Sequence, residues 1–180
     1  MISGAAFRGG PFSYLMHPML IRTETPDDID AMRDLTAAAF ASMPYSDGTE
    51  PEMIDRLRAD DDLHLSLIAI DGEVLIGHVA FSPARLPIPG KWFALGPISV
   101  APARQRTGIG TALIETGLAE LRGMGAAGCV LIGDPAYYAR FGFRSDPGLA
   151  AGDVPRVNVM GLSFTGPPPT GAIRFAPGLT

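Results

Sequence analysis

Residues 98–114 read ISVAPARQRTGIGTALI. An apolar run meets a proline-containing turn, and a basic, glycine-spaced segment then opens a helix predicted over Gly108 to Arg122. Such a junction suits a pyrophosphate. Gly108 and Gly110 carry no side chain to hold an anion away from the backbone. The helix start offers unpaired N–H groups and the positive end of its dipole. Arg104 and Arg106 add cationic donors at the rim. A dinucleotide fingerprint would need a third glycine where Leu113 stands, and a nucleotide-triphosphate loop would need Gly-Lys-Ser/Thr, whereas the single lysine is Lys91. What remains is Gln105-x-x-Gly108-x-Gly110.

That signature, after a strand and before a helix, resembles the GNAT N-acetyltransferases, whose Q/R-x-x-G-x-G/A loop holds the pyrophosphate of acetyl-CoA. A second segment, GDPAYYARFGF at 133–143, is similar to the aromatic segment of that family, with Tyr137, Tyr138, Gly142 and Phe143 in place. Together with VAFSP at 79–83 it looks most like the YhbS-like bacterial subgroup. The likeness covers Met19 to Phe143 well and residues 144–180 weakly. It implies an α/β fold, the acyl-CoA N-acyltransferase fold: a mixed central sheet with splayed central strands and helices on both faces.

The flanking pattern agrees. Residues 19–23 read as a strand, and Thr25-Pro26-Asp27-Asp28 as a helix start with a capping-box-like arrangement. Ile29, Met32, Leu35 and Ala39 then recur at helical spacing. After a loop over Ser42 to Gly48, Thr49-Pro51 starts a second helix with Ile54 and Leu57 on its apolar side. Strands are predicted at 65–70 and 74–82 around the Asp71-Gly72 turn, then at 92–100 after a loop over 84–91. Pro97 lies inside the last of these and marks a bulge or an end of pairing, which suits a splayed strand. In the loop-opened helix, the small Gly117 points to close packing on the sheet. A buried strand at 128–133, a short helix from Asp134-Pro135 to Phe141, a strand from Val157 to Phe164 and a returning segment at Ala172 to Phe175 complete the order β-α-α-β-β-β-α-β-α-β-β.

At 180 residues the chain is one domain, 19–180, preceded by a Gly-rich arm at 1–18 that is either flexible or upstream of a true start at Met19. No run of 18 apolar residues is present, so no membrane span is expected. Cys129 is the only cysteine, which excludes an internal disulfide and suits a reducing cytoplasm. His17, His64 and His78 lie far apart, so no metal site is expected. A net charge of −5 argues against a nucleic-acid partner. The charge is uneven: residues 24–73 hold 14 acids against three arginines, whereas 74–114 hold four basic residues and no acid. One part of the chain is thus suited to an anionic cofactor, and the other to solvated helix faces or a cationic acceptor.

The resemblance implies acetyl transfer from acetyl-CoA, a co-substrate, to a primary amine of a small molecule or protein, by direct attack in a ternary complex. The alternative is a non-catalytic acyl-CoA sensor or scaffold. By this likeness Arg104, Gln105, Arg106, Thr107, Gly108, Ile109, Gly110 and Thr111 hold the pyrophosphate. Ile98, Ser99 and Val100 align the pantetheine arm and offer a backbone N–H to the oxyanion. Tyr138 contacts the cofactor and protonates the leaving thiolate, with Tyr137 as packing. A phenol near pKa 10 suits that proton transfer. Relatives often carry a glutamate on the strand before the loop, but 92–103 contain no carboxylate. His78 is the substitute base considered, with water or Asp134 as the alternatives. Cys129, between apolar neighbours, lacks what would activate a ping-pong nucleophile. Asp47, Glu50, Glu52 and Asp55 are candidates for the acceptor side, and a homodimer through the C-terminal strands stays open.

Overall fold

The computed structural model describes residues 19–44 and 46–179; the expected arm at 1–18 lies outside them. In chain order the elements are β1 (Leu20–Thr23), α1 (Ile29–Phe40), α2 (Glu50–Ala59), β2 (Leu65–Asp71), β3 (Val74–Arg85), β4 (Trp92–Val100), α3 (Ile109–Gly123), β5 (Gly128–Ile132), α4 (Pro135–Tyr138), β6 (Arg144–Ser145), β7 (Leu149–Ala150), β8 (Val159–Ser163), β9 (Gly171–Ala172) and β10 (Arg174–Phe175). The main sheet runs β1-β2-β3-β4-β5-β8-β6, with β10 also pairing β3. All of its pairs are antiparallel except β4 with β5.

That parallel pair is short. Only Trp92–Ala94 lie against Gly128–Val130, so from Leu95 onward the two central strands diverge. On the other side of β4, the register with β3 shifts between Phe81↔Leu95 and Val79↔Ile98. Two residues, Gly96 and Pro97, oppose the single residue Ala80 there, which is a bulge. Proline removes a ladder donor, and both outcomes expected of Pro97 occur at once: a bulge towards β3 and an end of pairing towards β5.

The two faces of the sheet differ. Ile109, Leu113, Leu118 and Leu121 of α3 pack on Val79, Phe81, Leu95, Cys129 and Leu131 in an apolar core. The opposite face receives α1 and α2, where Met32 and Ile54 close over Ile68. Closer to the C-terminus, Trp92, Ala94, Val130, Leu149 and Ile173 form a further cluster. The start of α1 is set as the sequence suggests. The Asp28 carboxylate accepts from Thr25 N–H at 2.7 Å and Thr25 Oγ1 at 2.8 Å, and it pairs with Arg22. The Arg22 guanidinium holds the Asp28 carboxyl well below the usual carboxylate range.

Three expectations needed correction. β3 runs through Pro83 to Arg85, so the loop before β4 is shorter than 84–91. The strand expected from Val157 is β8, from Val159, because a 3-10 turn takes Arg156–Asn158. The final segment splits: β9 pairs β7, and β10 returns to the Arg85 end of β3. These two-residue pieces carry no periodicity to read.

Gly117 is buried, and a Cβ there would lie 2.3 Å from the ring of Phe81. Gly117→Ala must therefore push Phe81 off its site, and we expect a loss of about 1–3 kcal/mol in folding free energy, read by urea denaturation. A midpoint equal to the parent's would show that α3 does not sit this close to the sheet.

Candidate active site

The segment after β4 forms a loop in which Arg106 (φ +61°) and Gly108 (φ +93°) are left-handed. Alternation of this kind turns successive amides towards one side, as anion-binding backbone does. Gly108 occupies the position before α3, where its φ favours glycine and no side chain caps the helix. The amides of Arg106, Thr107 and Gly108 donate to no protein acceptor among the described residues. Those of Ile109 to Thr111 lie in the first turn, where a helix has no internal acceptor for them. The loop's side chains partly serve its own shape: Thr107 Oγ1 donates to the Arg104 carbonyl, and Gln105 Nε2 to Val100 O at 3.4 Å. Arg104 is tied to Asp71 at 2.7 Å, so its charge is shared with the β2–β3 turn.

Gly110 also makes room for a tyrosine. A Cβ on it would stand 3.0 Å from the Tyr137 hydroxyl. That hydroxyl hydrogen-bonds Thr111 in the same first turn. Arg140 lies over the Tyr137 ring at 4.7 Å and donates to its carbonyl at 2.9 Å. Tyr137, expected only as packing, thus clamps α4 to the start of α3. Burial pushes its phenol up.

Tyr138 points elsewhere. Its ring lies against Gly133, where a Cβ would come within 2.4 Å, and meets Phe143 edge-on at 6.1 Å. Gly133 directly follows β5, so Tyr138 sits on the arm of the gap facing β4, on the α3 side of the sheet. Asp134 caps α4, accepting from Ala136 N–H at 2.9 Å.

On the other side of the sheet, Ser99 is buried and donates to Thr36 Oγ1 of α1 at 3.1 Å. His78, opposite Ser99 in register, is fully buried. Its Nε2 lies 2.8 Å from Ser66 Oγ, and burial, with Arg58 nearby, pushes its pKa down to about 3. His78 therefore does not meet solvent as a free imidazole near neutrality. Most of the acids considered for the acceptor side serve the fold. Asp47 accepts from Thr49 N–H and Oγ1, Glu50 from Ser46 Oγ at 2.7 Å, and Asp55 pairs with Arg33 at 2.6 Å and Arg58 at 2.8 Å. Among the described residues Glu52 has no such partner. An open apolar groove of about 840 Å³, lined by Ile88, Trp92, Arg122, Phe164 and Pro168, lies at the paired end of β4 and β5, away from the anion loop. No group of His, Cys, Asp and Glu suited to a metal occurs among the described residues. No helix among them is long and apolar enough to cross a membrane.

A mixed sheet parted between its central strands, with an anion loop at the parting, is the architecture of acyl-CoA-dependent acyltransferases. The chain belongs to the GNAT acetyltransferase family: the family model described as "Acetyltransferase (GNAT) domain" matches residues 20–145. It is an N-acetyltransferase of the YhbS-like kind, which favours the enzyme over the sensor alternative. The uncharacterized N-acetyltransferase YhbS of Escherichia coli K12 is 37% identical over 130 residues, covering 70% of this chain and 74% of that protein. Its crystal structure in complex with CoA superposes with a TM-score of 0.82 at 28% identity, covering 96% of each chain. A GNAT family acetyltransferase from Brucella melitensis, solved in complex with acetyl-CoA, has a TM-score of 0.81 at 43% identity, covering 91% of this chain and 99% of that one.

Cys129 is fully buried in β5, and burial pushes its thiol up. A thiolate is the reactive form. Ellman's reagent should therefore count no thiol in the native protein and one after denaturation. Rapid native labelling would place Cys129 back among the candidate nucleophiles.

Proposed function

We propose that this enzyme transfers the acetyl group of acetyl-CoA to a primary amine of a small molecule or protein, by direct attack in a ternary complex. The observation that carries this reading is the free edge of β4 beyond Ala94, leading straight into the anion loop. The Gln105–Thr111 amides take the pyrophosphate, with Arg106 exposed beside them. The pantetheine arm pairs with the backbone of Ile98–Val100, and an N–H of that strand serves the oxyanion. Burial of Cys129 supports direct attack over a thioester intermediate on the protein.

Tyr138 protonates the leaving thiolate. In support, it stands on the β5 arm of the gap, on the same side of the sheet as α3 and its loop. The amine approaches from the α1–α2 side, so nucleophile and leaving group occupy opposite faces. The single unpaired cysteine and the bacterial source of the YhbS relative support work in a bacterial cytoplasm. A homodimer would use the outer edge of the sheet, where the two residues of β6 cover only part of β8.

Titration calorimetry with acetyl-CoA tests the reading directly: we expect saturable heat, and none at millimolar ligand would end it. Tyr138→Phe should lower kcat at least about tenfold with acetyl-CoA affinity intact. An unchanged kcat would remove Tyr138 from the mechanism.

A further inference from the structure

The single turn of α4 has no buried residue, and neither does the 3-10 turn Ala139–Phe141 that continues it. A helix this short does not stand by its own hydrogen bonds. Its position is set by side chains that reach out of it. The Asp134 carboxylate fixes its start, accepting from Ala136 N–H at 2.9 Å. The Tyr138 ring lies on Gly133, just past the end of β5. The tie to the anion loop is the Tyr137 hydroxyl, bonded to the Thr111 side chain.

Three elements meet where that hydroxyl ends. A Cβ on Gly110 would lie 3.0 Å from the hydroxyl, 3.7 Å from Val100 Cγ2 and 3.8 Å from Ile98 Cδ1. Ile98 and Val100 belong to the free edge of β4, and Gly110 to the first turn of α3. Tyr137 is carried by the segment after β5, so it crosses the parting on the α3 side and ends beside the β4 arm. Its ring is held as well. Tyr138 meets it edge-on at 4.9 Å and Phe141 at 5.7 Å, and Arg140 covers it at 4.7 Å. Those ring contacts would survive in a phenylalanine; the bond to Thr111 would not. Thr111 has a second part to play. Its N–H is one of the first-turn amides that a helix leaves without an internal acceptor, so one residue faces the anion site with its backbone and holds the tyrosine with its side chain.

We propose that Tyr137 is a positioning residue for acetyl transfer: through Thr111 it holds the Tyr138 phenol in a fixed place relative to the bound pyrophosphate. This rests on the acetyl-transfer reading above, with Tyr138 as the donor. The proton that moves is Tyr138's own, and Tyr137 exchanges none. The need is geometric. The thioester sulfur and the pyrophosphate belong to one extended ligand, so the donor must be placed against the phosphate end of that ligand as well as against its own strand. α4 follows β5, which has already parted from β4. Without the tie to α3, the phenol is referenced to the β5 arm alone. A donor displaced by about 1 Å loses much of its effect on the chemical step, whereas cofactor affinity comes from the loop and changes little.

The test uses the full chain. Tyr137→Phe and Thr111→Val each remove one end of the bond, and Thr111→Ser keeps the hydroxyl. Urea denaturation shows which variants are folded, and calorimetry with acetyl-CoA reads cofactor binding by itself. We expect Tyr137→Phe and Thr111→Val to bind acetyl-CoA about as the parent does and to lower kcat about five- to tenfold over a panel of primary amines. Thr111→Ser should keep most of the parent's kcat. Tyr137→Phe combined with Thr111→Val should lose no more than either alone, because the same bond is broken in each. In a Tyr138→Phe background, Tyr137→Phe should lower kcat no further, whereas a merely structural role would multiply the two losses. Should Tyr137→Phe fail to fold, Thr111→Val against Thr111→Ser decides the matter. The proposal is overturned by folded Tyr137→Phe or Thr111→Val with the parent's kcat, by losses that multiply in either pair, or by a loss that falls on acetyl-CoA affinity instead of kcat. Failure of the underlying reading is seen in other proteins of the set: the parent gives no saturable heat with acetyl-CoA, or Tyr138→Phe keeps the parent's kcat, and the proposal then goes with it.

Discussion

The parting of β4 from β5 after Ala94 is the constraint on which the other features depend. A sheet interior normally satisfies every backbone group through its neighbours. Here the central strand is paired on one side only from Leu95 onward. The departure is built in by Gly96 and Pro97, which bulge towards β3 while proline withholds a donor. α3 starts shortly after the free edge ends, so its unpaired amides and the free strand edge lie close together. Close packing of Gly117 on Phe81 then keeps that helix flush against the sheet. Move the bulge by two residues, and the loop would open over a paired ladder with nothing beside it to read a pantetheine arm.

The parting also divides the molecule chemically. Beneath α3 the interior is aliphatic and aromatic, with Leu113, Ile114, Leu121 and Phe143 fully buried. Beneath α1 and α2 the same sheet buries Thr36, Ser66, His78, Ser82 and Ser99. Polar groups in an interior are costly unless paired, so their concentration on one face is a deliberate asymmetry. The dry face suits the aromatic α4 segment. The polar face lies across the sheet from Tyr138.

The features legible in the sequence were those decided by short-range sterics. Pro97 within an apolar run, Gly117 within a helical stripe and Gly108 ahead of a helix each name a local backbone demand, and each is met. What composition suggested about charge was less informative. The acids crowded between Glu24 and Glu73 read as solvated helix faces or as a field for a cationic acceptor. Folding instead brings Arg22, Arg33 and Arg58 onto Asp28, Asp55 and Glu24, and Arg104 onto Asp71. Those pairs span up to 34 positions, and no window along the chain reveals them. The same distance hid the setting of His78, which depends on Ser66 from β2, Glu24 beyond β1 and Arg58 from α2. The C-terminal strands of two residues escaped for another reason: they have no period, and only long-range pairing to β3 and β7 makes them strands.

The pair Tyr137–Tyr138 shows how little chain is needed to separate two roles. Successive residues on a helix point about 100° apart, and α4 is a single turn between Asp134 and a 3-10 continuation. One ring is therefore directed at the start of α3, and the next at the end of β5. Gly110 and Gly133 each vacate the volume that their tyrosine enters. The two glycines thus belong to the aromatic segment as much as to the loop and strand that carry them. With Tyr137 bound to Thr111 and backed by Arg140, α4 is fixed to the anion loop, and Tyr138 inherits that fixed position. Whatever orders the loop therefore also orders the Tyr138 phenol.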